Sequence, residues 1–373
     1  MKTIILNDNP YGGLIQQYFN QEFPRTSVMN NSDKVDLLTN TMIGTKEIRY
    51  GCIPNPESLV VIRKTIRESI LNNKPIPILV PWGSIKGNFT DSLDIAEVSA
   101  INRLVQLSET IEEIYPMGLE IVIRVEDTSG YLLFGFDKDI NEVIPIINSY
   151  SAQLEQLVEI LSPEGTIKVQ RESKMENNQS FNEEVHTYLH YFIDYLLESD
   201  SMQIDYASQV ENMESYITLK SLGWKGIICN EQRNYYYETY KRLYPNENHY
   251  NAVKRLALYM CESFVRYKLD MSGKRSYWND YIQVTFVQPI KGLPEGYHNN
   301  CLYYRTLPMS QARTHMCPWR GFGYLQISGN LICAKITSFN NEAITSQIIE
   351  SKTVISNSEG LNVTINTNYL LID

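Results

Sequence analysis

The segment from Pro75 to Phe136 constrains the fold of this chain more than any other segment does. It contains an apolar run at Ile76–Val80, a long helical pattern at Asp94–Ile114 and a second apolar run at Leu119–Val125. Apolar residues recur about every 3.6 positions in the middle stretch, which is typical of an amphipathic helix, and the two flanking runs resemble buried strands. Two buried strands joined by a helix predict an open α/β sheet.

The rest of the chain divides at a polar, Asn-rich stretch, residues 170–182. Residues 1–170 are predicted to form an α/β domain. Residues 183–373 are predicted to be a helical segment and a β-rich C-terminal part, packed against the first domain to close one site. The pattern predicts a hairpin across Ser328-Gly329-Asn330 and a strand at Ala343–Ile349. The predicted fold class is therefore α/β: a mixed sheet flanked by helices in a Rossmann-like N-terminal half, then a helical middle and a β-rich end.

Composition and charge narrow the class of function. The chain has 373 residues, a formal net charge of −10 and a pI of about 5.2. The absence of a basic surplus argues against a nucleic acid or an anionic membrane as a partner. No apolar run approaches the roughly 20 residues of a membrane span, and the apolar run near Met1 is too short for a signal peptide. We therefore expect a cytoplasmic protein. The six cysteines form no C-x-x-C pair, so zinc-site spacing is absent.

The turn after the first predicted strand carries two candidate site residues, Trp82 and Lys86. A lysine in such a loop can bring its ammonium to an anion, and a tryptophan face can stack on a substrate. A lysine with a depressed pKa could instead form an imine with a carbonyl substrate. Asp94 and Glu97 follow at the start of the long helix. They fit catalytic carboxylates and also the acidic residues that a helix N-terminus favours.

The second predicted strand ends in charged residues, with Arg124 and Asp127 as candidates. In open α/β sheets, binding and catalytic groups lie at the carboxyl ends of the strands. The same stretch, continuing to Gly130, also fits a hairpin turn.

A third cluster lies just before the predicted C-terminal hairpin and contains Arg313, His315, Cys317, Trp319 and Arg320. Arginine forks bind phosphate or carboxylate groups with two parallel hydrogen bonds. His315 is a candidate general acid or base. Cys317 would serve as a nucleophile only if its pKa were lowered.

His186, His190 and Asp194 are spaced four residues apart, which places them on one helical face. Such a face can chelate a metal, and it can equally be a solvated stripe. The glutamate of the H-E-x-x-H motif is missing, and the chain lacks a phosphate-binding loop, a G-x-G-x-x-G turn and a G-x-S-x-G elbow. We therefore predict neither a metal nor a cofactor, and metal-dependent catalysis by the histidine stripe stays an alternative.

The order of these motifs resembles the isonitrile (isocyanide) synthase family, which includes the pyoverdine/paerucumarin-type enzymes and the yeast dityrosine enzyme. Family members have a Pro-Phe-Lys-like turn, a helix that starts Pro-Asp-x-x-Glu and ends Tyr-x-Pro-Gly, and a strand that ends Ser-Asp-Gly. The matching positions here are Pro81-Trp82 with Lys86, Asp94 and Glu97, Tyr115-Pro116-x-Gly118, and Glu126-Asp127 with Gly130.

The resemblance continues near the C-terminus. A strand at Ile282–Pro289 is followed by Leu307-Pro308 and then by Cys317-Pro-Trp-Arg320, where family members have Ser-Ile-His-Pro and later Thr-Pro-Trp-His. Gln288 and Arg320 stand where the family has histidines, and the lysine turn is longer here.

The resemblance implies a soluble biosynthetic enzyme that joins the nitrogen of an amino acid to a carbon of ribulose 5-phosphate, or a related condensation. Its partners would be these small molecules. The implied catalytic residues are Lys86, Asp127, Glu97 and His315, and the implied substrate-binding residues are Trp82, Arg124, Arg313, Arg320 and Asp94. The two missing histidines leave open a non-catalytic relative of the same fold that binds a small molecule or has a regulatory role.

Overall fold

The fold is taken from a computed structural model. It describes residues 3–6, 11–20, 33–49, 54, 56–86, 90–127, 140–162, 164–171, 173, 183, 186, 189, 280–286, 301–312, 316–339, 341–357 and 359–372. The strands are β1 (Thr3–Leu6), β2 (Ile76–Gly83), β3 (Leu119–Glu126), β4 (Ile167–Arg171), β5 (Ile282–Thr285), β6 (Cys301–Tyr303), β7 (Phe322–Ser328), β8 (Leu331–Thr337), β9 (Lys352–Ser356), β10 (Asn362–Asn366) and β11 (Tyr369–Leu371). The helices are α1 (Gly12–Asn20), α2 (Lys34–Ile43), α3 (Pro56–Leu71), α4 (Ile95–Ile114), α5 (Ile140–Leu161) and α6 (Glu342–Thr345).

The central sheet has five strands in the order β4-β3-β2-β5-β6. All neighbouring strands in it are parallel. From β2 the chain adds β3 and β4 on one side, and it later adds β5 and β6 on the other side. The order therefore reverses between β2 and β5, and ligands of open α/β sheets bind at such a switch point. The α/β prediction is confirmed, and the sheet is completed by strands from the second half of the chain.

Strand β2 is buried on both faces, as parallel strands are when helices or loops cover both sides of a sheet. Its alternate residues Ile78, Val80 and Trp82 belong to the main hydrophobic core. Leu79 points the other way and packs with Val122 of β3. A central strand that is buried on both faces, as β2 is, therefore requires a continuous run of apolar residues.

Helix α4 is the long helix predicted from the apolar period. Asp94 is its N-cap, and a capping box with Glu97 closes its first turn. The helix ends at Ile114, and its C-cap Tyr115 stands directly before Pro116. Proline cannot supply the backbone N–H that a further turn needs. Gly118 then turns the chain into β3 with a positive φ of 61°.

Two smaller sheets complete the described fold. β1, β9 and β10 form an antiparallel sheet, and β7 pairs antiparallel with β8 and parallel with β11. The predicted hairpin across Gly329 is confirmed. The strand predicted at Ala343–Ile349 is wrong, because the chain forms α6 there, with backbone bonds such as Thr345 N to Asn341 O at 2.9 Å. The predicted helical middle lies almost wholly outside the described residues. No helix in the described ranges is both long enough and apolar enough to cross a membrane.

Candidate functional site

The reversal of strand order places the carboxyl ends of β2 and β5 side by side. The loop after β2 carries Lys86, and the chain after β3 begins with Asp127. Since β2 and β3 are parallel and Gly83 is in register with Glu126, both residues lie at the carboxyl edge of the sheet. Their side chains are buried, with 1% of Lys86 and 6% of Asp127 exposed. Two of the predicted site residues thus follow neighbouring strand ends.

The ammonium of Lys86 is surrounded by oxygen atoms. It forms ion pairs with Asp94 Oδ2 at 3.0 Å and with Glu97 Oε1 at 2.6 Å. It also donates to the carbonyl of Pro318 at 2.7 Å and to that of Gly321 at 3.3 Å. The hydrogen bond to Gly321 joins residues that are 235 positions apart. Lys86 therefore ties the start of α4 to the loop before β7.

The two carboxylates have structural duties as well as their pairing with the lysine. Asp94 accepts from Ala96 N at 2.7 Å and from Gly323 N at 3.0 Å, and Glu97 accepts from Asp94 N at 2.9 Å. A Cβ at Gly323 would lie 2.4 Å from Asp94 Oδ1 and 2.6 Å from Ala96 N, so this position admits only glycine without a shift of backbone. Asp94 and Glu97 therefore cap the helix and also form part of the buried cluster, which are the two roles that the sequence left open.

Aromatic rings close the cluster on the side of the sheet. The indole N–H of Trp82 donates to the hydroxyl of Tyr150 at 3.1 Å, and that hydroxyl donates to Glu97 Oε1 at 3.0 Å. The Trp82 ring lies 5.3 Å from that of Trp319 and 5.9 Å from that of Phe286. Trp82 is fully buried, so it anchors the loop, and the predicted stacking of its face on a substrate is not available in this arrangement.

Burial and the shared ammonium shift the pKa values of the cluster. Burial raises the pKa of Glu97 to about 8, with Asp94 adding to the shift and Lys86 opposing it. Burial lowers the pKa of Lys86, but Asp94 and Glu97 outweigh it, and the pKa lies above its ordinary value. One ammonium faces two carboxylates, and the excess carboxylate takes up a proton most readily at Glu97. A charged Lys86 is not the nucleophilic amine that an imine requires.

Asp127 is held by a different segment. It accepts hydrogen bonds from the backbone N–H of Ser173 at 2.8 Å and from the Ser173 hydroxyl. Ser173 lies two residues beyond the end of β4, so these bonds fix the Asp127 carboxylate at the edge of the sheet. Arg124 is also buried, with 1% exposed. It alternates with Ile123 and Val125, which pack in the core with Trp82, so Arg124 lies on the opposite face of the sheet.

The loop before β7 brings the C-terminal motif to the lysine. Trp319 packs on the backbone of Gly83, where an added Cβ would lie 2.3 Å from the indole ring. Arg320 is exposed beside it. Burial raises the pKa of the Cys317 thiol to about 11, so Cys317 stays protonated at neutral pH and does not meet the condition for a nucleophile. Arg313, His315 and Gln288 lie outside the described residues.

Of the histidine stripe, the structure describes only His186, which is exposed. His190 and Asp194 lie outside the described residues. Within the described part of the chain, no group of three His, Cys, Asp or Glu side chains is arranged to hold a metal ion.

Tyr150 is a member of the cluster that sequence reasoning missed. It is fully buried on α5, where Val143, Ile147 and Leu154 share its helical face. The available signal in the sequence was a tyrosine among aliphatic residues at helical spacing. Such a tyrosine is predicted to be buried, and a buried hydroxyl needs a hydrogen-bond partner. The partner, Glu97, is 53 residues away in sequence, and no local pattern identifies it.

Comparison with known proteins gives fold likenesses of low score. No protein-family model matches the sequence, and no curated protein matches it. Among solved structures, the PvcA protein of Pseudomonas aeruginosa has a TM-score of 0.43 at 14% identity, over 84% of this chain and 90% of that one. The tyrosyl-tRNA synthetase of Archaeoglobus fulgidus, in complex with L-tyrosine, has a TM-score of 0.28 at 14% identity, over 57% and 60%. That of Aeropyrum pernix has a TM-score of 0.29 at 8% identity, over 57% and 58%. Scores of this size assign no function, which must be argued from the residues of this chain.

Proposed function

We propose that this protein is a biosynthetic enzyme of the isonitrile-synthase type. It would join the nitrogen of an amino acid to a carbon taken from a pentulose phosphate, or carry out a closely related condensation. The observation that carries the proposal is the contact between Lys86 and the carbonyls of Pro318 and Gly321. The two segments that resemble the family in sequence order are distant along the chain, and here they bond to each other at the switch point of the sheet.

The geometry supports a positioning role for Lys86. Its ammonium already has four oxygen partners and 1% exposure, so it holds the loop of residues 317–321 against β2 and α4. Trp82, Asp94 and Glu97 share this role, and the raised pKa of Glu97 lets the cluster hold or release one proton near neutral pH.

Substrate contact is assigned to groups at the rim of this cluster. Arg320 is exposed in the loop that Lys86 holds, and a guanidinium is suited to a sugar phosphate. Asp127 lies at the next strand end and is proposed as the group that accepts a proton from the amino acid. Arg313 and His315 precede the loop in sequence and are proposed as a further phosphate ligand and an acid or base. Arg124 faces the other side of the sheet and is proposed for a substrate portion that reaches that face.

The test is turnover with a labelled sugar. The purified protein is incubated with L-tyrosine or L-tryptophan and uniformly ¹³C-labelled ribulose 5-phosphate, and products are resolved by liquid chromatography and mass spectrometry. We expect an isonitrile that carries one labelled carbon on the amino nitrogen. Arg320→Gln should raise the KM for the sugar phosphate about tenfold or more, since a charged hydrogen bond contributes roughly 1.5–3 kcal/mol. Lys352→Gln, at an exposed position of β9, is the matched control and should leave KM unchanged.

A non-catalytic, ligand-binding relative is the alternative, and one observation favours it. The Lys86 ammonium, the Asp94 carboxylate and the Glu97 carboxylate are all satisfied within the protein, as a purely structural cluster would be. Calorimetric binding of tyrosine or ribulose 5-phosphate with no labelled product would support this alternative. Absence of both binding and product would contradict both functions.

A further inference from the structure

A second buried cation lies farther along α4. Arg103 is only 3% exposed, and its Nε and Nη2 atoms find no hydrogen-bond acceptor among the described residues. Burying charged N–H groups without an acceptor is costly, and native proteins rarely leave them so. The missing acceptor must therefore come from a group that this part of the chain does not supply.

The two unsatisfied nitrogens are on one edge of the guanidinium. Nε–H and one Nη2–H run parallel there, which is the geometry that takes two oxygens of one carboxylate or phosphate. Arg171 shows this use within the same protein. Its Nε donates to Glu155 Oε1 at 2.9 Å and its Nη2 to Glu155 Oε2 at 3.3 Å. At Arg103 no carboxylate of the described residues occupies the equivalent edge.

Arg49 belongs to the same locality. It forms an antiparallel bridge with Tyr304, and side chains of directly opposed residues in such a pair lie on the same face. Tyr304 in turn interacts electrostatically with Arg103. Arg49 also has two buried nitrogens, Nε and Nη1, without a described acceptor. Arg49 is only partly buried, so this side of the cluster reaches the surface.

Among the described residues, the side chains of Arg305 and Glu47 also lie close enough to interact electrostatically with Arg103. Arg305 adds a third guanidinium near Arg103, and Glu47 is the carboxylate that interacts with both. Glu47 is already engaged, because its Oε1 accepts from the backbone N–H of Ser310 at 2.8 Å and from the Ser310 hydroxyl. Among the described residues, the unsatisfied guanidinium atoms of Arg103 and Arg49 therefore make a locally positive region in a chain whose net charge is −10.

We infer that Arg103 and Arg49 form a binding site for an oxyanion, the phosphate or carboxylate group of a small molecule. Arg103 supplies the two-pronged edge, and Arg49 supplies further donors from the side nearer the surface. The site is distinct from the Lys86 cluster, whose cation already has its carboxylates.

The test measures thermal unfolding of the full chain in inorganic phosphate, in acetate and in chloride at matched ionic strength. At an anion concentration about ten times Kd, the unfolding equilibrium of the wild type should shift roughly tenfold toward the folded state relative to chloride. Arg103→Met should lose the response, and Arg171→Met, whose guanidinium edge was occupied by Glu155, should keep it. A response to phosphate alone identifies a phosphate group, and a response to acetate alone identifies a carboxylate.

Two results would overturn the inference: a wild type that responds to neither anion beyond chloride, or an Arg103→Met variant that responds as the wild type does. If Arg103→Met does not fold, Arg49→Met replaces it, because Arg49 is only partly buried. That variant should bind the anion at least about tenfold more weakly, and an unchanged response would equally overturn the inference.

Discussion

Lys86, which pairs with the start of α4, and Arg103, which lies on α4, are both buried cations. They differ in how many of their N–H groups find hydrogen-bond acceptors. Lys86 has four oxygen acceptors, two of which are carboxylates. Arg103 has one guanidinium edge for which the described residues provide no acceptor. Both side chains are at most 3% exposed. Burial alone therefore does not identify a binding residue. The number of hydrogen-bond acceptors around a buried cation distinguishes a structural residue such as Lys86 from a proposed anion-binding residue such as Arg103.

The pKa shifts express the same contrast. At Lys86 the neighbouring carboxylates outweigh burial and raise the pKa. At Arg103 burial outweighs the nearby tyrosines and Glu47, and it lowers the pKa to about 10. A charge that its surroundings stabilise is expensive to remove, whereas a charge that its surroundings destabilise is expensive to keep. Substitution by methionine should therefore have opposite effects on stability at the two positions.

The largest effect is expected from Lys86→Met. It leaves two buried carboxylates without their cation and also releases the carbonyls of Pro318 and Gly321. Breaking a buried pair from one side costs about 3–5 kcal/mol. Urea unfolding should show a loss of that size in the free energy of unfolding. Lys64→Met is the control, because Lys64 forms an exposed pair with Glu68 at 3.8 Å, and its loss should be below about 1 kcal/mol. If both variants lost an equally small free energy of unfolding, the structural role of Lys86 would be contradicted.

The second effect concerns pH and Glu97. The pKa of Glu97 is about 8 in the folded protein against an ordinary value of 4.5. Between these values the folded state binds more protons than the unfolded state, so stability falls as the pH rises through this window. The contribution of one group reaches at most about 1.4 kcal/mol per pH unit. Glu97→Gln should remove this part of the slope, as measured by urea unfolding from pH 5 to about pH 8.

Glu109→Gln is the matched control for the pH series. Glu109 is exposed on the same helix, so the variant should keep the slope of the wild type. A Glu97→Gln variant with an unchanged slope would mean that Glu97 stays ionised across the window, as it would if Lys86 paired with it alone and left Asp94 to its backbone donors.

The fold was largely predictable because its signals are local. The continuous apolar runs of β2 and β3 follow from burial on both faces of the sheet. The 3.6-residue period of α4 follows from burial of one helical face. The failure at Ala343–Ile349 has a local cause too. That stretch is short and mixed, and hydrogen bonds from Thr345 N and Thr345 Oγ1 to Asn341 O close a helical turn. Short segments of this kind carry too few periods to separate a strand from a helix.

The site was predictable only in part. Lys86, Asp94 and Glu97 stood out because charged residues followed a buried run and opened a helix. Tyr150 and the carbonyls of Pro318 and Gly321 did not, because contacts between residues that lie far apart along the chain have no sequence period. Arg103 also escaped notice. In sequence it is one more charged residue on an amphipathic helix, and only tertiary packing shows that it is buried, with Tyr18 and Tyr304 near it.

The smallest effect, and the one of opposite sign, is expected from Arg103→Met. In a chloride buffer without phosphate or carboxylates, this variant removes a buried and poorly paired charge and fills the space with an apolar side chain of similar length. Such replacements are neutral or stabilising, and we expect a gain of about 1 kcal/mol in urea unfolding. Arg171→Met, which breaks a partly exposed pair with Glu155, should instead lose up to about 1 kcal/mol. If Arg103→Met were destabilised as strongly as Lys86→Met, the guanidinium would have its partners within the protein. The contrast between the two cations, and the anion site built on it, would then be wrong.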